Sequence, residues 1–210
     1  MKKVITILLS CMMAFMSVNA FVYAEDETEH FQFSDVTSKD QYYYDAVYWA
    51  LDHGITQGTT PTTFSPNGSC KRYQFVLFLW RQAKCPEPGI TEDPFTDVKN
   101  DPNKDAYEKA VLWAVENDIT TGTTPTTFEP YAPLTRGQVV TFLYRAAGRP
   151  DVTKTDNPFK DVDKNKYYYT PVLWAVENNI TTGVKPDQFQ PTVTCTRGQT
   201  VLFLYRYVNP

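Results

Sequence analysis

Histidine is nearly absent. The 210 residues hold two, His30 and His53. His30 lies in the acidic start and His53 at an expected helix end, and no repeat supplies a nucleophile beside a base, which argues against an enzyme. Cysteine is also scarce, with four residues and no Cys-x-x-Cys pair. That removes the usual zinc and dithiol patterns. Excess positive charge is missing too. The formal net charge is −4, and a nucleic-acid binder needs clustered Lys and Arg. Long apolar runs are confined to the start. Lys2 and Lys3 precede the stretch from Val4 to Val18, which is too short to be a good membrane span.

That start, residues 1–24, reads as a secretory signal. Cleavage after Ala24 is preferred because Glu25-Asp26-Glu27 follows, with Ala20 as an alternative. A lipoprotein reading at Cys11 is less favoured, because the apolar run before it is very short. Residues 25–32 form a short acidic segment. The mature chain is then expected to lie outside the cytoplasm, with no membrane contact after cleavage. It would carry three cysteines, Cys70, Cys85 and Cys195. Cys70 and Cys85 sit at opposite ends of one expected helix, roughly 20 Å apart and too far to pair. A Cys85–Cys195 bridge and free buried thiols both remain open.

What is abundant is repetition. Trp recurs at 49, 113 and 174, about 60 residues apart, a period that signals a tandem array. From Leu112 to Arg145 and from Leu173 to Arg206, about two thirds of positions agree. Three repeats are expected, at 33–85, 95–147 and 159–209, separated by linkers rich in Pro and Gly that cannot continue a helix.

Each repeat opens with Phe-x-Asp-Val at Phe33, Phe95 and Phe159. A first helix follows. In the second repeat Tyr107, Ala110, Val111, Ala114 and Val115 share one helical face. Trp113 points away from that face, so it must fill a second interface or line a groove. In the third repeat Pro171 suggests a late helix start with Thr170 as the cap. The helices are expected to close near His53-Gly54, Asn117-Asp118 and Asn178-Asn179. A Gly-containing loop comes next, anchored by Phe64, Phe128 and Phe189. The second helix opens on a capping box, Thr135 with Gln138 and Thr196 with Gln199. Arg72, Arg136 and Arg197 stand in its first turn, where the helix dipole disfavours a cation. Their recurrence suggests a task such as meeting an anion. Two acidic stretches, Asp97 to Asn103 and Asp161 to Asn165, resemble calcium loops but lack the turn glycine and the bidentate glutamate, so no metal is expected.

Together these motifs resemble the S-layer homology domain, over nearly the whole mature chain. The resemblance implies an all-α fold of three helix-loop-helix repeats forming a pseudo-threefold bundle. It also implies a central three-helix bundle and binding grooves between neighbouring repeats. It implies a secreted, non-catalytic cell-wall anchor with no cofactor. The partner would be a cell-wall polysaccharide, either a secondary cell-wall polymer bearing pyruvate ketals or a peptidoglycan-linked glycan. Its contact positions fall on Asp35, Asp97 and Asp161; Trp49, Trp113 and Trp174; Gly58, Gly122 and Gly183; and Arg72, Arg136 and Arg197. A carboxylate suits a guanidinium fork and helix N-terminal amides, and a sugar face suits an indole. Two departures stand out. Gln138 and Gln199 replace the family's Glu, and the first repeat has Lys71-Arg72-Tyr73-Gln74, which weakens the expectation for its site. The alternative reading is a helical-repeat protein–protein adaptor at the cell surface.

Overall fold

In each repeat two phenylalanines distant in sequence meet in the core. Phe33 lies 5.8 Å from Phe64, Phe95 lies 5.7 Å from Phe128, and Phe159 lies 5.7 Å from Phe189, centroid to centroid. All six are buried. The motif aspartate two residues after the first Phe fixes this contact. Asp97 accepts from the backbone N–H of Phe128 and of Glu129, at 2.8 and 2.7 Å. Asp35 does the same for Phe64 and Ser65, and Asp161 for Phe189 and Gln190. Ser65, Glu129 and Gln190 all adopt positive φ, between 56° and 61°. The carboxylate thus satisfies two amides exposed by a sharp reversal of the chain.

The computed structural model describes residues 33–98 and 105–210. The leader at 1–24, the acidic segment at 25–32 and residues 99–103 of the acidic stretch that starts at Asp97 lie outside the described residues. The described residues form six helices: α1 (Tyr44–Asp52), α2 (Arg72–Gln82), α3 (Asp105–Glu116), α4 (Arg136–Ala146), α5 (Tyr169–Glu177) and α6 (Arg197–Val208). Among the described residues there is no strand, only isolated bridges. Tyr107, Ala110, Val111 and Ala114 are buried on one face of α3, as the spacing predicts. The first helices close with Gly54, Asp118 and Asn179 in the left-handed region. The full capping boxes form at Thr135 and Thr196. In the first repeat only half of the box survives, with Lys71 N–H donating to Gln74 Oε1. One expectation fails: α5 starts at Tyr169 with Tyr168 as its N-cap, so Thr170 lies inside the helix rather than capping it. Pro171 fits the first turn because the N–H it lacks has no partner there anyway.

The second helix of each repeat packs on the first helix of the next. α2 packs on α3, α4 on α5, and α6 returns to α1, closing a ring of three. Two of the three off-face tryptophans fill these seams. Trp49 meets Tyr205 at 5.4 Å and Trp174 meets Tyr144 at 5.7 Å. Trp113 is half-buried against the core.

The inner helices α2, α4 and α6 face one another around a pseudo-threefold axis. Phe75 of α2 stacks on Phe142 of α4 at 6.2 Å. On the axis, Cys70 N–H donates to Cys195 O, Cys195 N–H to Leu134 O, and Leu134 N–H to Cys70 O, at 2.8–3.0 Å. Of the two alternatives left open for the cysteines, free thiols stand and the Cys85–Cys195 bridge does not. The first and third repeats are neighbours, but Cys195 meets Cys70, while Cys85 is exposed past the far end of α2. All three thiols are free.

Candidate functional site: three grooves between repeats

The arginine at the start of each inner helix is buried, only 3–4% exposed at Arg72, Arg136 and Arg197. Its position follows from the loop of the following repeat. Arg72 Nε donates to Phe128 O at 2.8 Å, Arg136 Nε to Phe189 O at 2.8 Å, and Arg197 Nε to Phe64 O at 2.9 Å. Each guanidinium lies between two phenylalanine rings. For Arg136 these are Phe189 at 4.8 Å and Phe203 of α6 at 5.1 Å. For Arg72 they are Phe128 and Phe142, and for Arg197 they are Phe64 and Phe78. Two aromatic faces partly replace the lost hydration of the cation. Burial lowers the pKa of all three. The cation at the unfavourable helix end is therefore first a structural tie between repeats.

The helix N-terminal amides are also committed. Arg136 N–H donates to Val193 O and Gly137 N–H to Pro191 O, with matching pairs at Arg72 and Tyr73 and at Arg197 and Gly198. Gln138 and Gln199 donate their backbone N–H to Thr135 and Thr196 Oγ1. The expected use of these amides for an anion is thereby excluded: the incoming loop has already filled them.

One edge of each guanidinium faces a groove. Arg136 lines a cavity of ≈ 200 Å³ with Gly183, Gln199, Arg206 and, from the first repeat, Tyr42. Arg72 lines one of ≈ 360 Å³ with Gly122, Gln138, Arg145 and, from the third repeat, Tyr167. Arg197 lines one of ≈ 160 Å³ with Gly58, Tyr73, Gln74 and Arg81. The structure thus joins the expected Arg of one repeat with the expected Gly of the next. Each groove is lined by two arginines and by no carboxylate. In the third, Arg197 Nη2 is buried without a hydrogen-bond partner.

The glycines are there for space. Gly122 has φ +80°, and a Cβ on it would sit 2.5 Å from the carbonyl oxygens of Thr124 and Thr127 and from the Phe95 ring. Gly58 and Gly183 are confined in the same way. The other expected contacts lie elsewhere. Asp35, Asp97 and Asp161 hold the Phe-x-Pro turns and do not line these grooves. Trp49, Trp113 and Trp174 do not line them either. Trp174 instead borders a separate cavity of ≈ 260 Å³ with Tyr207 and Asn178.

Sequence reasoning passed over Arg81, Arg145 and Arg206, which donate to the carbonyls of Ile55, Ile119 and Ile180. Their signal was available: each follows the first-turn arginine at the same spacing in all three repeats. Tyr42 and Tyr167, each more than half exposed, were missed as well. Tyr73 distinguishes the first repeat. Gly137 and Gly198 leave room for Tyr168 and Tyr43, whose ring atoms lie 3.1 and 2.8 Å from where a Cβ would stand. The Tyr73 ring instead packs on Tyr107 and Tyr131 at 5.4 and 5.5 Å. Among the described residues no acidic, His or Cys cluster could hold a metal, and no helix is long and apolar enough to cross a membrane.

A family model described as the S-layer homology domain matches residues 32–76, 94–140 and 158–201. An endoglucanase from Bacillus sp. (strain KSM-635) is 35% identical over 106 residues, covering 50% of this chain and 11% of that protein. A cell surface protein from Thermoanaerobacter kivui is 31% identical over 117 residues, covering 54% of this chain and 15% of that protein. The chain therefore spans a small part of these curated relatives.

Proposed function

The chain belongs to the S-layer homology domain family, and we propose that it is a non-catalytic module holding itself to cell-wall polysaccharide at the cell surface. The observation that carries this reading is the pairing of arginines. Each of three grooves presents Arg72 with Arg145, Arg136 with Arg206, or Arg197 with Arg81, with no carboxylate in the lining. Such a concentration of positive charge in a chain of net charge −4 selects an anionic ligand. The cavities suit one sugar unit at a time rather than a long chain. A pyruvate ketal offers a carboxylate on a sugar ring, which matches a guanidinium pair beside a polar Thr and Gln wall. The ligand class we favour is therefore a pyruvylated secondary cell-wall polymer. Gly58, Gly122 and Gly183 let it approach the loop backbone, while the aspartates and tryptophans hold the groove walls in place.

Co-sedimentation of the protein with purified cell walls tests this. Binding is expected to walls that keep their polymer and to be lost from walls stripped of it. Removal of the ketal alone should weaken binding by about 10-fold or more, the loss of one or two charge-assisted hydrogen bonds. Equal binding to stripped walls that still carry surface proteins would favour an adaptor instead.

A further inference from the structure

The pseudo-threefold axis carries two thiols in three equivalent places. Cys70, Leu134 and Cys195 are all fully buried there, and Cys70 N–H donates directly to Cys195 O at 3.0 Å. The antiparallel bridge between Ser69 and Thr196 sets Cys70 opposite Cys195, a register in which Cα atoms lie roughly 5.5 Å apart, inside the roughly 4.4–6.8 Å span of disulfides. The two side chains also share a neighbour, Thr200, which lies close to both thiols and donates its own hydroxyl to Thr196 O. Each thiol lies near a buried arginine as well, Cys70 near Arg197 and Cys195 near Arg136. Among the described residues no other contact between the first and third repeats could become covalent in this way, because Cys85 is exposed at the opposite end of α2.

We propose that Cys70 and Cys195 form a disulfide when the chain matures in an oxidising environment, covalently closing the ring between the first and third repeats. The oxidant is an external disulfide, either glutathione disulfide or a thiol–disulfide oxidoreductase. One cysteine thiolate attacks it, forming a mixed disulfide and expelling one thiol. The second cysteine thiolate then attacks the mixed disulfide, forming the Cys70–Cys195 bond and expelling the other thiol. The two cysteines lose two electrons and two protons, and the external disulfide gains them as two thiols. In the folded reduced chain, burial pushes Cys70 up to about 12 and Cys195 up to about 11. The exchange therefore takes place before the axis closes, and the closed fold then shields the bond from reductant. Neither cysteine lines a groove, so the bond forms whether or not the grooves bind glycan.

Refolding the full chain from urea in glutathione disulfide, then denaturing and alkylating it without reductant, tests the proposal by peptide mapping. The expected map shows Cys85 alkylated, Cys70 and Cys195 unmodified, and one linked peptide pair containing both, which separates on reduction. The oxidised protein should melt roughly 10 °C above the reduced one, because the bond closes a loop of more than a hundred residues. Cys85→Ser should keep that gain. Alkylation of both Cys70 and Cys195 without reductant overturns the proposal, as does a linked pair that includes Cys85.

Discussion

Arg136 holds Phe189 twice, donating its Nε to the Phe189 carbonyl at 2.8 Å while its guanidinium carbon lies 4.8 Å over the Phe189 ring. The same side chain borders a groove with Arg206. The structural tie and the proposed binding role thus coincide in Arg136 and are separable in Arg206. Arg136→Ala should cost roughly 3 kcal/mol of stability, combining a charged hydrogen bond, two cation–aromatic contacts and a cavity. Arg206→Gln should cost no more than about 1 kcal/mol, since it keeps a donor near Ile180 O. Urea unfolding of the two variants separates them, and equal midpoints would contradict the structural role of Arg136.

Gly122 and Gly148 share nearly the same backbone conformation, φ +80° and +79°, but differ in their surroundings. A Cβ at Gly148 meets nothing within 4 Å, so Gly148→Ala should cost about 1 kcal/mol for the left-handed conformation alone. Gly122→Ala adds contacts at 2.5 Å with two carbonyl oxygens and should cost at least about 3 kcal/mol. Thermal melting of the pair checks the difference.

Asp97 holds two backbone amides of a positive-φ turn. Asp97→Ala leaves both without their acceptor and should destabilise the chain by about 2–3 kcal/mol. Hydrogen exchange at the Phe128 and Glu129 amides should accelerate more than at the α4 amides. Uniform acceleration would show that the turn is not locally held by Asp97.

Alkaline pH should weaken the reduced protein. Cys70 and Cys195 are raised by burial from 9.0 to about 12 and about 11. A folded pKa above the unfolded value gives stability that is intact below pH 9 and is lost as pH climbs through the folded values. The two together can remove on the order of 2–3 kcal/mol per pH unit above pH 9. Tyr43, Tyr48, Tyr167 and Tyr207 are raised too, mainly by burial, and add the same sign above their ordinary value of 10. Urea midpoints taken in steps from pH 8 to 10.5 should fall, and a flat profile would contradict the burial of the thiols.

The local features were legible in sequence because they obey local rules. The Tyr107-Ala110-Val111-Ala114 face, the Thr135–Gln138 cap, the left-handed helix ends and the three Phe anchors each follow from spacing or turn chemistry. The axis was not legible. Cys70, Leu134 and Cys195 come together only when the third repeat closes on the first, and no local pattern encodes that. Arg136 was noticed for breaking a dipole rule, but its partners, Phe189 and Phe203, lie more than fifty residues onward. Arg206 broke no rule, because a cation suits the last turn of a helix, so its repetition went unread. The aspartates were recognised as a motif, while their role depends on a turn about thirty residues away.

The central claim is that paired arginines in three grooves bind an anionic wall glycan. The most direct measurement is titration calorimetry of purified wall polymer against the wild-type protein and against the combined variant Arg81→Gln, Arg145→Gln, Arg206→Gln, with circular dichroism confirming equal helicity. Each groove then keeps its structural arginine and loses its partner. The account predicts that affinity falls by at least about 10-fold, at roughly 1.5 kcal/mol for each charge-assisted hydrogen bond removed, and that the wild-type affinity falls as salt rises. Unchanged affinity in the correctly folded variant would contradict it.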